Sequence, residues 1–138
     1  MAFKHKYTLI CDEVRQENTG KLLVIGLYLD NMGVSQIPFM LPSLTFLFAF
    51  ENDRLGDYPF RAKLENLESG KVLAQAMGVL QVLRPGTAIN ILGFRNISID
   101  RIGTYTMSLT MDGERDPVTA SIEVVLQAQL LNPPQPQM

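Results

Sequence analysis

The stretch that decides the fold is Gly103-Thr-Tyr-Thr-Met-Ser-Leu-Thr-Met-Asp-Gly-Glu-Arg-Asp-Pro-Val-Thr-Ala-Ser-Ile-Glu-Val-Val-Leu-Gln127. Side chains of a strand alternate between its two faces. Tyr105, Met107, Leu109 and Met111 therefore share one face, and Thr104, Thr106, Ser108 and Thr110 share the other. On the return, Val118, Ala120, Ile122, Val124 and Leu126 share a face opposed by Thr119, Ser121, Glu123 and Gln127, and only Val125 departs from the pattern. Apolar residues do not recur at helical spacing. Asp112-Gly113 suits a tight turn, since both residues tolerate positive φ. A two-residue loop there sets Met107 opposite Val118 and Tyr105 opposite Ala120. A longer loop, ending at Arg115, keeps the same parity. Pro117 favours the longer loop, because proline cannot donate to a ladder. Either way both apolar rows reach one face, as a half-buried sheet requires.

Just upstream, Asp100-Arg-Ile-Gly103-Thr-Tyr105 resembles the tyrosine corner of immunoglobulin-like sandwiches, where the phenol bonds back to the backbone between strands. Two departures separate the chain from antibody domains. Met107 stands where those domains have their second cysteine, and there is no tryptophan.

Outward from the hairpin, strand-like runs fall at residues 6–14, 21–29, 44–51, 58–66, 71–83 and 89–99, divided by turn residues at 18–20, 68–70 and 84–87. The first two runs suggest a hairpin. Residues 31–43 read as a long connection, because Pro38 and Pro42 deny it a regular interior. A bend is expected at Gly78 and a bulge near Gly93. Regular short strands without a long amphipathic helix argue for an all-β, immunoglobulin-like antiparallel β-sandwich of about eight strands. Residues 1–131 make one domain, and the Pro/Gln-rich residues 132–138 a disordered tail.

Composition narrows the function classes. A chain of 138 residues, 46% hydrophobic and 19% charged, is of ordinary size and composition for one folded domain. A net charge of -2 leaves no basic stripe for nucleic acid. No run reaches the length of a membrane span, and no apolar segment follows the charged start, so a soluble cytoplasmic protein is expected. The single cysteine, Cys11, excludes an intrachain disulfide and reads as a small buried hydrophobe.

Carriers of chemistry are few. His5 is the one histidine, so nucleophile–histidine catalysis depends on a terminal residue. A closed zinc site lacks ligands, and no phosphate-binding glycine motif occurs. No catalytic or cofactor-binding residues are assigned, and no enzyme is expected. Glu51, Asp53 and Asp57 cluster in one inter-strand loop and are weak candidates for calcium, with Arg54 set among them.

The second and third runs break the alternation that the hairpin obeys. Leu22, Val24 and Tyr28 occupy one face of the second, while Leu23, Ile25, Leu27 and Leu29 occupy the other. The third adds Leu47 and Ala49 opposite Phe46, Phe48 and Phe50. An antiparallel strand needs only one apolar face. The excess calls for a cover, either the connection 31–43, which is the first expectation, or another subunit. Leu23, Ile25, Leu27 and Leu47 are the candidate interface.

Several segments together resemble a family of small bacterial β-sandwich proteins known only as a domain of unknown function. They are Cys11-Asp12, Lys21-Leu-Leu-Val-Ile-Gly26 with the later Pro38 and Pro42, Leu44-Thr-Phe-Leu-Phe48, and Gly103-x-Tyr105 with Asp112-Gly113. The resemblance implies a sandwich in a bacterial cytoplasm and brings no catalytic residues. The function expected is a non-enzymatic interaction or assembly module, as a homo-oligomer or with an unknown protein partner. The alternative is a sandwich that binds a small ligand or metal through the loops at 31–43, 52–57 and 84–87.

Overall fold

In the computed structural model, which describes residues 3–128, the alternating runs become nine strands: β1 (Phe3–Gln16), β2 (Leu22–Tyr28), β3 (Asn31–Val34), β4 (Phe39–Asn52), β5 (Gly56–Asn66), β6 (Val72–Val82), β7 (Gly86–Ile99), β8 (Gly103–Met111) and β9 (Val118–Leu126). They form a four-stranded sheet, order β2-β1-β4-β7, and a five-stranded sheet, order β3-β9-β8-β5-β6. One apolar cluster joins them. Phe46, Phe48 and Phe50 of β4 meet Leu64 of β5, Met107 and Leu109 of β8, and Ile122 and Val124 of β9. Residues 132–138, read as a disordered tail, lie outside the described residues.

The closing hairpin keeps the expected faces. Tyr105, Met107, Leu109 and Met111 are buried in the core. Its register is that of the longer loop, because Met107 pairs with Ala120 and Leu109 with Val118. Of the two loops the sequence allows, the longer one that Pro117 favours is the one formed: residues 112–117 all lie outside the strands, and Pro117 has no N–H to offer a ladder.

At two crossings between the sheets, a tyrosine locks the corner. Tyr105 Oη donates to the Arg101 carbonyl at 2.8 Å, between β7 and β8. Tyr58 Oη donates in the same way to the Arg54 carbonyl at 2.9 Å, between β4 and β5. Burial pushes the Tyr105 phenol up, so it stays a donor. Gly103 has φ +131°, and a Cβ there would meet a Glu68 carboxylate oxygen at 2.9 Å. Glycine takes this φ freely, and the Glu68 carboxylate beside it accepts the Thr104 N–H. Asp100 pairs with Lys71 at 2.7 Å, and this hydrogen bond holds its carboxyl below the usual value.

Three expectations about the strands need correction. The connection 31–43 is not a plain loop. Asn31–Val34 forms an additional strand, β3, which pairs parallel to β9 in the five-stranded sheet. Strand β4 runs through Pro42, because its ladder with β1 begins only at Thr45, so no partner on that side needs the missing N–H. The irregularity of β7 is at Asn96, φ 56°, rather than Gly93. Gly78 lies within one unbroken β6, where a Cβ would stand 2.8 Å from the Phe60 ring.

Candidate interaction face

Paired residues of an antiparallel sheet share a face, so the register of the four-stranded sheet lays out its outer surface row by row. One row is Leu27–Cys11–Thr45–Gly93, the next Leu9–Leu47–Ile91, and the next Tyr7–Ala49–Ile89. Leu23 and Ile25 of β2 extend the surface beside Arg15 and Glu13. These residues stand opposite the phenylalanines and outside the core cluster. They form a second apolar layer, directed away from the protein's own core.

All four candidate interface residues belong to this face. Leu23, Ile25 and Leu27 are exposed, Leu27 by 48%. Leu47 is only 2% exposed. It lies on a central strand, with Leu9 and Ile91 as its cross-strand neighbours, and is the floor of the patch rather than its rim. Tyr7 and Ile91 are exposed as well. The expectation that residues 31–43 cover this face is overturned, because β3 departs to the opposite sheet and β4 itself takes up residues 39–43.

Cys11 is fully buried within the patch, and burial, reinforced by the charge of Asp12, pushes its thiol up. It behaves as a small hydrophobe. Its neighbours Asp12 and Glu13 point to opposite faces, as adjacent strand residues do. Glu13 reaches Arg15 at 3.2 Å on the outer surface. Asp12 turns inward and accepts the Tyr28 phenol proton at 2.8 Å. Burial and this hydrogen bond push the Tyr28 phenol far up. Gly26 has φ +70°, and a Cβ there would collide with the Asp12 carboxylate. The turn at 18–20 places Asp12 near this glycine, a juxtaposition that the hairpin register carries but that no local motif announces.

The other candidates are not brought together. Glu51, Asp53 and Asp57 are all exposed, and among the described residues no group of three His, Cys, Asp or Glu side chains could hold a metal ion. His5 is exposed in β1, hydrogen-bonded to Thr8 at 2.8 Å. Three surface hollows, of about 520, 290 and 200 Å³, lie around Lys63 and Ser108, around Met77 and Gly113, and around His5 and Pro117. None is lined by the loops at 31–43, 52–57 or 84–87. Among the described residues, no helix is long and apolar enough to cross a membrane.

Two sheets over one core, with a tyrosine lock at two corners, define an all-β domain whose outer surface carries an apolar face. The chain belongs to the family of unknown function DUF6941, whose model matches residues 6–125. No curated protein matches the sequence. Among solved structures, the C-terminal domain of wzt is similar at a TM-score of 0.51 and 13% identity, over 90% of this chain and 74% of that one. The alkylpurine DNA glycosylase AlkC of Pseudomonas fluorescens is similar at 0.48 and 11% identity, over 89% of this chain and 30% of that one. A β-glucosidase from Listeria innocua follows at 0.45 and 11%, over 88% and 16%. The likeness to the wzt domain is one of fold alone.

Proposed function

We propose that this protein is a non-enzymatic assembly module, an immunoglobulin-like β-sandwich that self-associates through the outer face of its four-stranded sheet. The observation that carries the reading is the run of consecutive, largely apolar rows on this outer face, where Tyr7, Leu27 and Ile91 stand exposed around a buried floor of Cys11, Leu47 and Ala49. The Tyr105 corner supports the immunoglobulin-like assignment. A contiguous apolar face on a soluble domain marks an interaction site.

A second copy suits this face because each end of it carries both signs of charge. Glu13 and Arg15 flank Ile25 and Leu23 at one end, and Lys4 pairs with Glu51 across the ladder at the other. Two such faces packed about a two-fold axis bring no block of like charge together. A reducing cytoplasmic compartment fits a chain whose one cysteine remains a buried thiol.

Hydroxyl-radical footprinting across a dilution series tests the reading. Labelling of Tyr7 and Leu27 falls as protein concentration rises, while labelling of Ile102, exposed at the corner between β7 and β8, stays constant. Equal labelling of all three at every concentration overturns it.

A further inference from the structure

The two sheets have four edges, and three of them are blunted against pairing with another strand. Strand β3 is four residues long. Strand β2 has seven residues, with the left-handed Gly26 among them. Strand β7 carries Arg95 and the left-handed Asn96. Short length, charge and local irregularity are the usual devices that keep an edge strand unpaired.

Strand β6 has none of these. Its eleven residues, Val-Leu-Ala-Gln-Ala-Met-Gly-Val-Leu-Gln-Val, contain no charge and no proline. It pairs with β5 on one side and, among the described residues, has no hydrogen-bonded strand on the other. On its outer face Met77 is 79% exposed and Val79 54%.

The sequence of this edge is also chemically palindromic about Gly78. Antiparallel pairing with a second copy, centred there, sets Gln75 against Gln81 and Met77 against Val79 on the outer face. On the inner face it sets Ala76 against Leu80. The two glycines meet at the axis. Lys71 and Arg84, which bound the strand, fall opposite Pro85 and Val72, so no two cations meet. We infer that β6 is a second self-association surface, through which two copies join their five-stranded sheets edge to edge about a two-fold axis. Main-chain hydrogen bonds supply the attraction, and the matched side-chain pairs select this register. The inference extends the assembly reading to a contact independent of the apolar face. The two contacts together build an assembly larger than a dimer.

Cysteine cross-linking tests it. Residues 75 and 81 are too far apart along one extended strand to react within a chain, and Cys11 is fully buried. The double variant Gln75→Cys with Gln81→Cys forms a covalent dimer on mild oxidation or with a short thiol cross-linker. Neither single variant does so, because each new thiol then faces a glutamine. The same cross-link forms when Leu27→Lys is added, which separates this contact from the apolar face. Met77→Lys, at a solvent-exposed position, weakens edge association at least tenfold. Cross-linking of a single variant as fast as the double one, or none with either, overturns the inference. So does a cross-link that forms only when Leu27 is intact.

Discussion

The two outer faces of this protein are built on similar frames and differ in chemistry. Both back onto one apolar core, and both are laid out in cross-strand rows. On the five-stranded sheet the rows read Gln75–Lys63–Ser108–Thr119 and Glu65–Thr106–Ser121. Their polar groups satisfy one another. Thr106 bonds Ser121 at 2.8 Å, and Thr104 donates to Glu123 at 2.6 Å. On the four-stranded sheet the rows read Leu9–Leu47–Ile91 and Tyr7–Ala49–Ile89. A fold of this kind needs only its inner faces to be apolar. The polar face is thus what the fold alone requires, and the apolar face is an addition that the fold does not explain.

Matched substitutions sharpen the contrast, and the largest effect belongs to its centre. Leu47→Asp places a carboxylate on a buried apolar floor and lowers stability by about 3–5 kcal/mol. Ser108→Asp, on the other outer face beside Lys63, stays within about 0.5 kcal/mol. Urea unfolding of the two variants reads the difference. Equal stabilities mean that the two faces are not distinct environments.

A smaller loss follows at the hairpin that supports the apolar face. Gly26→Ala forces a side chain into left-handed backbone and against Asp12, with a cost of about 2–3 kcal/mol. A melting temperature equal to that of the parent contradicts the close approach of Asp12.

Tyr28→Phe removes the donor to Asp12 and costs about 1.5 kcal/mol at neutral pH. It also changes the alkaline limb. The native phenol holds its proton above the ordinary tyrosine value, which is near 10. Below that value both states are protonated and the contribution is complete. Above it the unfolded state loses the proton first, so stability falls as pH rises. Melting curves recorded from neutral to strongly alkaline pH show a shallower fall in Tyr28→Phe. The Tyr105 phenol, also held up by burial, retains its own share. The smallest effect is Ser121→Ala, about 0.5–1 kcal/mol, because an exposed side chain loses one neutral hydrogen bond, that to Thr106.

Much of this contrast is legible in the residues themselves. Strict alternation from Tyr105 to Met111 assigns the core side of β8 without reference to any partner. Its loss in Leu22–Tyr28 marks β2 as apolar on both sides. The contributions of Tyr7, Leu9 and Ile91 are not legible, since they depend on β1 and β7 flanking β4. Strand β3 is hidden because Asn31 and Gly33 carry turn chemistry, and its parallel partner is distant in sequence. Pro42 misleads because a proline is harmless wherever one side of a strand lacks a partner. The second tyrosine lock, at Tyr58, repeats the Arg-x-Gly-x-Tyr pattern around Tyr105 as Arg54-Leu-Gly56-Asp-Tyr58, so it too is legible in the residues.

The most direct test adds the same charge to each outer face in turn. Leu27→Lys and Thr119→Lys both occupy exposed positions, and static light scattering gives the mass of each against concentration. The parent and Thr119→Lys share one assembled mass, and Leu27→Lys has half of it. Three equal masses at millimolar concentration would contradict the assignment of the apolar face as the contact between copies.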